Sequence, residues 1–163
     1  DLGKPKVEAI VHNLRKIGIT DDRGVHLIPV ANDFSETTDL SEYDLVVVAV
    51  DRETPRRIVR ENAERWLDLR ATGDGFLMFT HEVSQSRINS IPSDENAPPA
   101  SCQRPGAIES GRIQFGFSEA ASHGAEWIVQ WLNGRANLPN NRMYYIHTGQ
   151  RTIPEVIIEE AEE

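Results

Sequence analysis

Four residues of this chain carry the chemistry of a candidate site: Lys6, Asp51, Arg56 and Cys102. Asp51 ends the apolar run Leu45-Val46-Val47-Val48-Ala49-Val50, so its carboxylate stands just past the end of a strand. Open α/β sheets bind ligands in the crevice outside the carboxyl ends of their strands. Arg56 follows five residues later, in what reads as the first turn of a helix, where it can pair with that carboxylate. Cys102 is the one cysteine of the chain, flanked by the polar residues Ser101, Gln103 and Arg104. That setting reads as an exposed thiol, and a neighbouring guanidinium favours the nucleophilic thiolate. A single cysteine excludes an internal disulfide and a zinc site built from cysteines of this chain. The five histidines, His12, His26, His81, His123 and His147, offer no pair at metal-ligand spacing. His81, at a strand end before a long loop, is the histidine best placed to act.

The elements that would position these residues follow from apolar spacing. Val7, Ile10, Val11, Leu14 and Ile17 make one stripe of a helix over 5–17, with Pro5 in its first turn and Gly18 as its stop. Val25 to Val30 reads as a strand and 32–41 as a loop. The run from Asp44 to Val50 reads as a strand buried on both faces, the mark of a parallel sheet covered by helices. Thr54 is the expected N-cap and Pro55 the first-turn proline of a second helix reaching about Arg70. Its stripe is Ile58, Val59, Ala63, Trp66 and Leu67, and Gly73 and Gly75 break it. Phe76 to Phe79 is a further strand. A proline-rich polar loop over about 82–111 carries Cys102, and a loop of that length in a domain is usually functional or disordered. Ser118 to Asn133 reads as a helix in which Trp127 and Trp131 serve packing rather than a ligand cage. Met143 to His147 and Ile153 to Ile158 close the sheet. The predicted fold is α/β, a Rossmann-like open and mostly parallel sheet with helices on both faces, lacking its N-terminal nucleotide-loop βα units. No GxGxxG and no P-loop sequence occurs.

Composition narrows the function. The chain has 163 residues, 39% hydrophobic and 26% charged, which suits one globular domain rather than a disordered chain. A net charge of −9 argues against a general nucleic-acid binder, which needs a basic surface. No apolar run reaches the length that crosses a bilayer, and the opening residues do not read as a signal peptide, so a cytoplasmic protein is expected. The end EVIIEEAEE forms an acidic tail over about 159–163, read as a solvated terminus.

Taken in order, several segments resemble the enzymes that activate ubiquitin and its relatives, including the bacterial adenylyltransferases of thiamine and molybdopterin synthesis. They are LGKPKVEAIVHNLRKI, YDLVVVAVDRETPRR, PPASCQRPG, SEAASHGAEWIVQWLNG and NNRMYYIHTGQ. The resemblance covers most of the chain and places it in the C-terminal part of that fold, as a single partial adenylation domain over 1–163. It implies ATP-dependent adenylation of the C-terminal glycine of a ubiquitin-like or sulfur-carrier protein. Cations must then offset the repulsion between carboxylate and triphosphate. It implies that Lys6 reaches the phosphates, that Asp51 holds Mg²⁺, that Arg56 pairs with Asp51 or the substrate tail, and that Cys102 carries the acyl group as a thioester. The implied partners are that protein, a conjugating enzyme, the upstream half of the fold and a second copy of the chain, with no nucleic acid and no membrane. The paired CxxC motifs that hold zinc in many bacterial members do not occur, so no zinc is expected. Two other functions are open at this point. One is a non-catalytic scaffold subunit of an activating-enzyme complex. The other is a fragment of a nicotinamide-dependent oxidoreductase, which leaves the proline-rich loop and acidic tail unexplained.

Overall fold

Val7, Val11 and Leu14 form the less exposed side of helix α1, Lys6–Lys16. Glu8 in its first turn and Arg15 and Lys16 in its last complement the helix dipole. The stripe is narrower than its spacing suggested, since Ile10 is 49% and Ile17 74% exposed. The helix lies in the first of two units, Asp1–Ser35, and the second is Glu36–Glu163. The computed structural model describes residues 3–91, 102–145 and 151–152. In the first unit a short 3₁₀ turn, Asp21–Arg23, follows α1. The strand expected at Val25 to Val30 is absent, and its Val25, Ile28 and Val30 are all exposed. β-Propensity expresses packing on a pleated surface, and among the described residues this segment pairs with no strand.

The second unit is built on an open mixed sheet in the order β1-β2-β3-β4-β5. Its strands are β1 Val46–Val48, β2 Trp66–Thr72, β3 Gly75–Thr80, β4 Asn141–Tyr145 and the two-residue β5 Arg151–Thr152. Only β1 and β2 run parallel; every later pair is antiparallel. The mostly parallel sheet expected from sequence is therefore corrected to one parallel pair extended by a meander. The cause lies at 63–72. The second helix, α2, is Glu53–Asn62 and ends eight residues before the predicted Arg70. Ala63 is already extended, and Trp66 and Leu67 begin a strand. Thr72 pairs with Gly75, so Gly73 and Asp74 alone connect β2 to β3, and a two-residue link joins only antiparallel strands. Gly73 has φ +58°, the left-handed conformation that the first position of such a turn favours in glycine. Thr54 is not the N-cap either; Arg52 occupies that position and gives no side-chain cap.

Alternation along β3 separates two cores. Leu77 and Phe79 pack with Val48, Val59, Ala63, Trp66 and Ile88, on the side of α2 and of the short helix α3, Gln85–Asn89. Phe76 and Met78 pack with Leu67, Ala120 and Trp127, on the side of α4, Gly116–Leu132. Helices thus cover both faces, as expected. The covering thins at β1, where Val48 is 5% exposed and Val47 42%, so this strand is not buried on both faces. Trp127 is buried, and its Nε1 donates to the Pro139 carbonyl at 3.1 Å, the packing role predicted for it. At its N-terminus α4 touches the β2–β3 turn backbone to backbone: Gly116 N–H donates to the Gly73 carbonyl at 2.9 Å. A Cβ on Gly116 would lie 2.4 Å from the carbonyl oxygens of Gly73 and Gly75, so only glycine admits this approach. The predicted strand at Ile153 to Ile158, residues 92–101 of the proline-rich loop and the acidic tail lie outside the described residues, and the loop's first part, expected to be irregular, contains α3. Among the described residues no helix is long and apolar enough to cross a membrane.

Candidate functional site

β1 and β2 point the same way, with Val48 opposite Asp68. Their C-terminal ends therefore share one edge of the sheet. Asp51 lies exposed on the turn that leaves β1 at this edge, two residues before α2. The Gly73–Asp74 turn leaves β2 at the same edge, and the cysteine loop is fastened to it. Gly73 N–H donates to the carbonyl of Cys102 at 3.1 Å. Gln103 and Gln114 bond reciprocally: Gln103 Nε2 donates to the Gln114 carbonyl at 2.7 Å, and Gln114 N–H to Gln103 Oε1 at 2.8 Å. Buried Gln114 also accepts from Arg104 N–H and donates to Asp74 Oδ2, both at 2.7 Å. The buried Gln114 amide is thus paired through both its oxygen and its nitrogen. Cys102 itself is exposed and free, as its neighbours in sequence suggested. Topology brings the Asp51 turn and the Cys102 loop to one edge.

Arg56 occupies the first turn of α2 but is 7% exposed. Its Nη1 donates to Asp68 Oδ1 at 3.1 Å, and its Nη2 donates to the carbonyl of Val50. The pairing with Asp51 that the resemblance implied is replaced by one with Asp68. Asp68, in the middle of β2, is fully buried, and its Oδ2 accepts from Arg70 Nε at 2.9 Å and Arg70 Nη2 at 2.7 Å. Arg60 donates to Glu53, and Arg70 Nη1 stands 3.5 Å from the same carboxylate. Arg70 also lies over the Phe79 ring at 5.5 Å. Three guanidiniums thus share two carboxylates, and Arg60 Nη1 is left buried without a hydrogen bond, 3.9 Å from Asp68. Burial lowers the Arg56 pKa, against the pull of Asp68 and with a further push from Arg70. A guanidinium stays charged regardless, so burial makes its partners indispensable.

This network was not visible in the sequence reading, which ran a helix to about Arg70 and gave Asp68 and Arg70 no role. The signal that exposes it is the alternation of WLDLRAT, in which Trp66, Asp68 and Arg70 share one face and Leu67, Leu69 and Ala71 the other.

Lys6 is exposed in the first turn of α1, in the other unit. His81 N–H donates to the Trp66 carbonyl at 3.1 Å, which puts it at the opposite end of β2 from Asp51 and outside the site. His123 on α4 stacks on Phe76 at 4.6 Å, and Arg142 Nη1 lies 2.8 Å from its Nδ1, so it packs rather than ligates.

Among the described residues no group of three or more His, Cys, Asp or Glu side chains is arranged to hold a metal. A dedicated metal cage does not fit this edge. A lone exposed carboxylate fits Mg²⁺ that arrives with phosphates, because that ion takes one or two protein carboxylates and completes its shell with phosphate and water oxygens. Asp51 is the residue here with that chemistry.

No family model, curated protein or solved structure matches this chain.

Proposed function

We propose that this chain forms part of an adenylating enzyme that activates the C-terminal glycine of a ubiquitin-like or sulfur-carrier protein at the expense of ATP and then holds it on Cys102. One observation supports this reading above the others: an exposed carboxylate on the turn that leaves β1 and an exposed thiol on a loop fastened to the turn that leaves the parallel neighbour β2 lie at the same sheet edge. Adenylation needs a hard-cation ligand where phosphate binds, and transfer needs a nucleophile within reach of the activated carbonyl.

In this reading Asp51 supplies one oxygen to Mg²⁺, which, when bound, offsets the charge of the phosphates. The glycine carboxylate attacks the α-phosphorus of ATP, and pyrophosphate leaves. The Cys102 thiolate then attacks the acyl carbon, the bond from that carbon to the AMP oxygen breaks, and AMP leaves with the electron pair. This reading gives Arg56 no contact with substrate, because the side chain is buried and its Nη1 and Nη2 are held by Asp68 and the Val50 carbonyl. A second copy of the chain and a conjugating enzyme are the further partners this chemistry suggests.

The test is ATP–pyrophosphate exchange by the full protein carrying this chain, with a ubiquitin-like protein encoded beside it. Exchange that depends on the partner's terminal glycine and disappears in Asp51→Ala is the expected result. Absence of exchange with the partner still bound selects a scaffold subunit. Binding of a nicotinamide dinucleotide in place of ATP selects the oxidoreductase.

A further inference from the structure

The ladder between β1 and β2 ends at Val48–Asp68, so strand pairing does not fix the residues between there and α2. A different contact does. The Arg56 guanidinium holds the carbonyl oxygen of Val50, and the peptide unit containing that oxygen also contains the N–H and Cα of Asp51. A peptide unit is planar and rigid, so fixing its oxygen fixes the plane from which the Asp51 side chain departs. Arg56 is oriented in turn by Asp68, whose two oxygens are divided: Oδ1 receives Arg56, and Oδ2 receives Arg70. Asp68 lies mid-strand in β2, which is paired on both sides, and is fully buried, so this reference point does not move with solvent.

We infer that Asp68 and Arg56 form a positioning relay for Asp51, setting the carboxylate at the sheet edge from the adjacent strand. The function of the relay rests on the adenylating reading, in which Asp51 binds the metal that accompanies ATP. Neither relay residue touches substrate. A lysine at 56 has one short ammonium in place of a planar fork and does not serve Asp68 and Val50 together. An asparagine at 68 keeps the shape of aspartate and loses the charge that holds Arg56.

The experiment compares the full-length protein with its Asp68→Asn, Arg56→Lys, Asp51→Ala and Val59→Ala variants. Two quantities are read: Mn²⁺ affinity in the presence of a non-hydrolysable ATP analogue, by electron paramagnetic resonance, and hydrogen exchange of the Asp51 amide, by NMR. Val59 packs in the same core and contributes no hydrogen bond to the relay, so its truncation reports the effect of lost stability with the relay's polar groups kept. Asp68→Asn and Arg56→Lys are each expected to weaken Mn²⁺ binding at least tenfold and to speed Asp51 exchange at least tenfold. Asp51→Ala abolishes binding, and Val59→Ala changes neither quantity beyond twofold. Wild-type affinity in Asp68→Asn overturns the relay and leaves the adenylating reading intact. So does equal weakening in Val59→Ala, which makes the effect one of stability. Binding that survives Asp51→Ala overturns the adenylating reading instead. The exchange data then decide the relay alone: unchanged Asp51 exchange in both relay variants overturns it, and tenfold faster exchange upholds it as a device that orders the turn.

Discussion

Asp68 Oδ1 and Arg56 Nη1 stand 3.1 Å apart with side chains 1% and 8% exposed, so a strand centre and a helix start are joined by a charge pair shut away from water. Removing one member of such a pair leaves the other ionised and uncompensated, which costs about 3–5 kcal/mol. Asp68→Ala is therefore expected to destabilise the protein by about that amount in urea unfolding, the larger share coming from the stranded arginines. A double-mutant cycle with Arg56→Met should return a coupling of at least about 1 kcal/mol, as contacting residues do. A loss below that value for Asp68→Ala shows that solvent reaches the pair.

The approach of α4 to the β2–β3 turn yields a contrast between two glycines. Gly116→Ala drives a methyl onto two backbone oxygens at 2.4 Å, and backbone cannot swing aside. Gly124→Ala meets a Leu69 methyl at 2.6 Å, and that side chain can change rotamer. Overpacking costs about 1–3 kcal/mol when the neighbours give way and more when they do not. Thermal unfolding should place Gly116→Ala well below Gly124→Ala. Equal midpoints rule out a rigid contact between the start of α4 and the turn.

Much of this architecture is written locally in the chain. The stripe of α1, the run of α4 and the strands around Phe76 and Met143 all appear in the structure within a few residues of their predicted bounds. These elements show one clear period and end at glycine or at polar residues. Two segments misled because local pattern is not the deciding force there. Ile58, Val59, Ala63, Trp66 and Leu67 fit a helical stripe, yet the last two face opposite cores of a sheet. What converts the segment to strand is pairing with β1 and with β3, neither of which propensity sees. VHLIPV has the composition of a strand but no neighbour to pair with among the described residues. As for the site, Asp51 and Cys102 were legible because turns and exposed loops follow from short-range polarity. The relay was not, since a charged residue in a strand centre becomes plausible only once its arginines are seen beneath it.

An acid-sensitive contact lies on the other face of the sheet. Arg142 Nη1 donates to Glu126 Oε2 at 2.6 Å and holds that carboxyl below its usual range. A depressed carboxyl contributes stability above its unfolded pKa and loses it as pH falls through the lower folded value. The pair is half exposed, so screening limits the contribution to under about 1 kcal/mol. Unfolding free energies measured from neutral pH down through the carboxylate range should fall more steeply for the wild type than for Glu126→Gln. Parallel profiles mean that the pair contributes nothing measurable.

Exposed Cys102 sits on a loop whose fastening uses its carbonyl and its neighbours, not its sulfur. Cys102 should therefore react with a thiol reagent in the native protein without denaturant, and that one equivalent should be missing in Cys102→Ser. Cys102→Ser is expected to leave stability within about 0.5 kcal/mol of wild type, as surface changes do. On the adenylating reading it retains pyrophosphate exchange and loses the thiol-labile conjugate to the ubiquitin-like protein. A conjugate that persists in Cys102→Ser moves the acyl group to another acceptor.

The five charges of Glu53, Arg56, Arg60, Asp68 and Arg70 also constrain how this sequence can drift. Each is harmful to lose singly, while replacing a whole buried ionic set by apolar residues of similar volume is often neutral or stabilising. Descendants of this chain therefore face two separated peaks, one ionic and one oily, with every single-substitution route between them passing through unstable protein. Such a set is inherited whole or not at all, and its members should change together across a lineage rather than one by one.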